Sequence, residues 1–85
     1  MASPILPINI DFPSWAAHVG VNLSKVMVPL PTATKNWRYW ATAVLCINTS
    51  LVGNVPTPDI RVYPKDEDWR EWAAKFIQVV YNPKN

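Results

Sequence analysis

From Asp68 to Tyr81, apolar residues fall at 69, 72, 73, 76, 77 and 80. This is helical spacing with one broad apolar face, and it predicts an amphipathic helix. Asp68 stands at the amino end as a cap, and Glu71, three residues on, completes a capping box. Glu71 and Lys75 form an exposed pair at helical spacing. Asn82-Pro83 ends the helix, because proline cannot continue one and disfavours helix at the residue before it.

The same pattern stands twice more in the chain. Trp72-Ala73-Ala74 aligns with Trp40-Ala41-Thr42 and with Trp15-Ala16-Ala17, at offsets of 32 and 25 residues. At these offsets Trp69 falls on Trp37 and Phe12, Phe76 on Val44 and Val19, and Ile77 on Leu45 and Gly20. Val55-Pro56-Thr57-Pro58, Val28-Pro29-Leu30-Pro31 and, more loosely, Leu6-Pro7-Ile8-Asn9 precede the three segments. Periods of this size mark repeated units. The expected fold is mainly α: three short Trp-bearing amphipathic helices joined by proline-rich extended arms, with short strands as an option in the arms. One small domain spans 1–85, divided into an extended arm (1–12), helix unit 1 (13–26), arm and helix unit 2 (27–51), and arm and helix unit 3 (52–85).

In the first arm Ile5, Ile8 and Ile10 alternate with polar or proline positions, which suits a strand or edge segment. It either docks on a neighbouring subunit or folds back on its own helices. Pro13 fits the first helical position, and Trp15, Val19, Leu23 and Val26 line one face. Gly20 weakens that helix by about 1 kcal/mol relative to alanine. His18 lies off the stripe and reads as a solvated surface residue. In the second arm Pro29 and Pro31 hold Val28 and Leu30 extended. Asn36 is placed to cap helix two, Trp37 to Asn48, which is apolar most of the way round and is expected to be central. In the third arm Ile60, Val62 and Tyr63 form a strand-like run. Asp66-Glu67-Asp68 places negative charge at a helix amino end, where the dipole favours it; this reading is preferred over a metal site.

Composition narrows the function. Charged residues are 16% of the chain, the net charge is +2, and hydrophobic residues are 49%. That is too apolar for disorder and too weakly charged for a dedicated nucleic-acid surface. Nine prolines against two glycines make a stiff chain. The single Cys46 has no internal disulfide partner and reads as a small core hydrophobe. The amino terminus lacks a charged n-region, and the longest apolar stretch is far shorter than the ~20 residues a membrane span needs. With one histidine, no glycine-rich phosphate loop and no paired cysteines, no catalytic, cofactor-binding or metal-binding set is expected.

Five tryptophans set the remaining expectation. Each removes roughly 150–250 Å² from water when buried, and three short helices are expected to enclose them poorly. Core or interface positions are Phe12, Trp15, Trp37, Trp40, Val44, Trp69, Trp72, Phe76 and Val80; arm-docking positions are Ile5, Ile8, Ile10, Val28, Leu30 and Val55. Some aromatic faces are therefore expected to close against other chains. Arg38 and Arg70, each following a tryptophan, offer cation–π contacts, with core packing preferred for the rings.

Val28-Pro29-Leu30-Pro31 with Asn36-Trp37-Arg38-Tyr39-Trp40-Ala41, and Val55-Pro56-Thr57-Pro58 with Asp68-Trp69-Arg70-Glu71-Trp72-Ala73, resemble segments of small virion proteins of tailed bacteriophages. These are the fibre-anchoring, adaptor and capsid-decoration proteins, and the resemblance covers about 28–82. It implies a non-enzymatic structural role in the virion, other virion proteins as partners, and a homo-oligomer, trimeric or higher. Two further readings come from the residues: a small accessory subunit of a larger enzyme or membrane complex, and a single-stranded nucleic-acid binder stacking bases on tryptophan.

Overall fold

The computed structural model describes residues 6–23 and 27–81. Three α-helices form the body: α1 Phe12–Leu23, α2 Trp37–Ile47 and α3 Trp69–Tyr81. They begin at the positions the repeat aligns, 12, 37 and 69, so the internal offsets in the sequence are also offsets between helix starts. A 3-10 turn leads into each: Pro7–Asn9, Thr34–Asn36 and Asp66–Asp68. A fourth turn, Thr49–Leu51, follows α2. The radius of gyration is 11.8 Å, against about 12 Å for a compact domain of this length.

Local chemistry explains the helix starts and corrects two of the expected caps. Asp68 does not cap α3 directly: its Oδ2 accepts from the Lys65 backbone N–H at 3.1 Å, and the Asp68 N–H returns to the Lys65 carbonyl at 3.1 Å. The reciprocal pair thus sits one turn early, around the 3-10 turn. Asn36 makes no side-chain cap; its Nδ2 donates to Thr32 Oγ1 at 3.2 Å, while its backbone N–H bonds the Ala33 carbonyl at 3.0 Å. In α1 the first bond runs from Trp15 N–H to the Asp11 carbonyl at 3.0 Å, which puts Phe12 in the helix and Pro13 second. Proline is still tolerated there, because the first four N–H groups lack helical partners anyway.

No strand occurs among the described residues, and turns stand in the first and third arms where strands were an option. Pro7 opens a 3-10 turn in the first arm and is buried, while Ile8 points outward and Ile10 packs on the core. The expected strand over Ile60–Tyr63 is a turn built on Asp59. Its carbonyl accepts from Val62 and Tyr63 N–H at 2.9 and 2.7 Å, and its Oδ1 accepts from Arg61 N–H at 2.7 Å. An aspartate that can bond its own downstream backbone competes well with a sheet ladder that has no partner strand. Ile60 and Val62 are exposed as a result, and Tyr63 is buried.

Each helix buries the same face. The buried residues are Phe12, Trp15, Ala16 and Val19 in α1; Trp37, Trp40, Ala41, Val44 and Leu45 in α2; Trp69, Trp72, Ala73, Phe76 and Ile77 in α3. All five tryptophans have 0% exposure within this one chain. The expectation that three helices enclose them poorly is therefore overturned: the rings hide one another, and Val55 and Tyr63 from the third arm join the same buried cluster. Helix α2 is also less central than its composition suggested. Tyr39, Thr42 and Cys46 share an exposed face, so Cys46 is a surface thiol and not a core hydrophobe. His18 is half-buried rather than solvated, and its Nε2 lies inside without an acceptor or donor among the described residues. Ile5 and Val26 fall outside the described residues.

Gly20 occupies the helical position that Leu45 and Ile77 fill in the other units, and a Cβ built there meets nothing within 4 Å. Gly20→Ala is expected to raise stability by about 0.5–1 kcal/mol in chemical denaturation, through lower unfolded-chain entropy. An unchanged or lower midpoint would contradict this.

Candidate functional site

The centre of the molecule is a triangle of tryptophans, one from each helix. Ring centroids of Trp15 and Trp40, Trp15 and Trp72, and Trp40 and Trp72 lie 6.0, 6.2 and 6.4 Å apart, with interplanar angles of 72°, 80° and 88°. Edge-to-face contacts of this kind match the positive ring edge to the negative face and add about 0.5–1.5 kcal/mol each beyond area burial. Around the triangle the contacts run in one direction. The first aromatic of each helix packs on the second aromatic of the next: Phe12 on Trp40 at 5.6 Å, Trp37 on Trp72 at 5.7 Å, and Trp69 on Trp15 at 5.8 Å. The three units therefore close as a ring with approximate three-fold symmetry.

Two arginines follow the same direction. Arg38, after Trp37, lies over that indole at 5.1 Å; Arg70, after Trp69, lies over its indole at 4.9 Å. Arg38 reaches forward to the third arm. Its Nη1 meets Asp66 Oδ1 at 3.0 Å, and its Nη2 donates to the carbonyls of Tyr63 and Lys65. Arg70 reaches forward to the first arm, with Nε donating to the Pro7 carbonyl at 3.0 Å and Nη2 to the Ile10 carbonyl at 3.4 Å. The rigid guanidinium fork suits several acceptors at once, so each arginine ties one unit to the next. The cation–π contacts and the core packing of the rings coexist: one edge of the indole is sealed by its neighbours and one face by the guanidinium.

Trp72 Nε1 donates to the Pro56 carbonyl at 2.9 Å, while the indole N–H groups of Trp15, Trp37 and Trp40 find no acceptor among the described residues. Desolvation by burial, helped by the nearby Glu71 carboxylate, raises the Tyr63 pKa above 10.0. The unfolded chain ionises this phenol more readily than the folded one, so the stability Tyr63 contributes is complete below pH 10 and is lost as pH rises through its folded value. Stability is expected to fall more steeply above pH 10 in the parent than in Tyr63→Phe; parallel alkaline denaturation curves would contradict this.

The acidic run is engaged structurally. Asp66 pairs with Arg38 and Asp68 bonds Lys65 N–H, and no group of three or more His, Cys, Asp or Glu that could hold a metal ion occurs among the described residues. The ion pair between Arg38 and Asp66 gave no local sign in sequence, being 28 residues apart; the recurrence of Trp-Arg in two units was the signal that could have found it. No helix among the described residues is long and apolar enough to cross a membrane.

The predicted core residues Phe12, Trp15, Trp37, Trp40, Val44, Trp69, Trp72 and Phe76 come together in one cluster, with Val80 partly buried against it. The arm positions separate. Val55 is fully buried, Val28 and Ile10 pack at the core edge, and Ile8 and Leu30 are exposed. Leu30 sits between two shallow clefts of about 210 and 290 Å³, the first shared with Tyr39 and the second with Val21 and Val28. Comparison of the chain with protein-family models, curated proteins and solved structures finds no match.

Proposed function

We propose that this protein is a non-enzymatic structural component that joins neighbouring subunits, as in a phage virion (tail fibre, adaptor or capsid decoration), with other virion proteins and further copies of itself as partners. The reading draws on one observation above others. Outside a sealed aromatic core, the exposed Val21 (78%), Leu30 (50%) and Tyr39 (72%) line two neighbouring clefts that share Leu30 and Trp40. Contiguous exposed apolar surface favours association, whereas scattered single residues do not. Arg38, Arg70 and Asp66 are committed to holding arms on helices, which suits a scaffold. The virion setting rests on the resemblance of residues 28–82 described above.

The tryptophans no longer motivate association, since they are dry without a partner. They also offer no stacking platform for bases, which removes the main support for the nucleic-acid reading. The accessory-subunit reading uses the same apolar surface against a different partner.

A double substitution, Leu30→Ser with Tyr39→Ser, tests the proposal. Both side chains are at least half exposed, so melting temperature and tryptophan emission are expected to stay near the parent values. Self-association in sedimentation velocity, or co-assembly with neighbouring virion proteins, is expected to weaken at least tenfold, the equivalent of about 1.4 kcal/mol. A parent protein that stays monomeric to high concentration and co-assembles with no virion protein contradicts the reading; co-purification with one large enzyme would favour the accessory-subunit alternative.

A further inference from the structure

The ring of units is closed by arginine locks at two junctions and lacks the third. Arg70 holds the first arm and Arg38 holds the third. At the offset of 25 residues that relates unit 2 to unit 1, Arg38 falls on Pro13. Proline carries no donor and no reach, so α1 has no equivalent grip on the second arm, 27–33. Among the described residues the only side-chain hydrogen bond made by that arm is Asn36 to Thr32, which lies within its own unit. The arm rests on buried Pro31 and half-buried Val28, and exposes Met27 (86%) and Leu30. Gly20 thins the contact further, since the core side chain that Leu45 and Ile77 supply elsewhere is missing beside Val28 and Leu30. Both clefts flanking Leu30 reach down to Trp40.

We propose that the second arm is a strap that opens over Trp40 while the rest of the ring stays closed. Local openings of this kind occur where few apolar contacts and few side-chain bonds hold a segment. The strap carries Leu30, so its release would also reshape the outer apolar surface.

Indole hydrogen exchange followed by NMR reads this directly. Trp15, Trp37 and Trp40 are equally sealed, and none of their Nε1–H groups has an acceptor among the described residues, so exchange reports access to water rather than bond breaking. Trp40 is expected to exchange about tenfold faster than Trp15 and Trp37. Pro13→Arg supplies the missing lock and is expected to slow Trp40 to the rate of Trp15. Arg38→Ala releases the third arm, whose Tyr63 packs on Trp37 with centroids 5.7 Å apart; Trp37 is then expected to exchange as fast as Trp40, with Trp15 unmoved. A common rate for all three indoles in the parent overturns the proposal. So does a folded Pro13→Arg protein whose Trp40 exchanges as before, or an Arg38→Ala protein in which all three accelerate equally.

Discussion

Trp15→Ala is expected to leave the protein largely unfolded at ambient temperature. Trp15 packs against Phe12, Trp40, Trp69, Trp72 and Phe76, with centroid separations between 5.6 and 6.2 Å. Its removal opens a cavity at the point where all three helices meet. Large-to-small changes of this kind cost about 3–5 kcal/mol, and small domains hold only about 5–15 kcal/mol in total. A chain of this size lies toward the lower end. The helix pattern alone ranks Trp72→Ala above Trp15→Ala for impaired assembly, because α3 has the stronger stripe. For folding stability the ring contacts favour Trp15, which meets Phe12, Trp40, Trp69, Trp72 and Phe76, whereas Trp72 meets Trp15, Trp37, Trp40 and Phe76 and adds its bond to Pro56. Urea denaturation followed by far-ultraviolet circular dichroism checks this; a loss below about 1 kcal/mol for Trp15→Ala would be incompatible with a shared aromatic hub.

Arg38→Ala is expected to cost about 2–3 kcal/mol, the largest effect of any charged residue. One guanidinium serves the Asp66 carboxylate and the Tyr63 and Lys65 carbonyls, and covers Trp37. Hydrogen bonds to charged groups are worth about 1.5–3 kcal/mol each when their loss leaves a partner unsatisfied, and the side chain is only 20% exposed. Lysine is expected to rescue less than half, because an ammonium cannot present a planar fork to three acceptors. Arg70→Ala removes two carbonyl contacts and no ion pair, so its cost is expected to be smaller. Equal losses for the two arginines in thermal denaturation would show that Asp66 adds nothing.

Much of the fold was legible because helical periodicity is a direct consequence of burial on one face. Alignment of Trp15, Trp40 and Trp72 located three helices and nearly all the residues of the core. The enclosure of the rings was not legible, because summed areas treat each side chain separately. Three indoles meeting edge-to-face at about 6 Å bury one another, which no one-dimensional pattern displays. The arms were misread where proline permits both extended and 3-10 backbone: Pro7 and Asp59 decided for turns. Cys46 was misplaced because it was read from the apolar run around it, although helical rotation sets it on the exposed face of α2 with Tyr39 and Thr42; His18 lies at the margin of its stripe, where one residue's rotation separates inside from outside. The candidate surface around Leu30 joins residues from three segments, and only the folded chain brings Val21, Leu30 and Tyr39 together.

The most direct test of the sealed core compares tryptophan emission with molecular mass as the protein is diluted. Sedimentation fixes the concentration at which the species is monomeric, and fluorescence quenching by acrylamide reports indole access at the same concentration. The self-contained ring predicts short-wavelength, quencher-resistant emission that does not change as any assembly dissociates to monomer. Emission that shifts to long wavelength and becomes quenchable in step with dissociation would show instead that the tryptophans are buried by neighbouring chains.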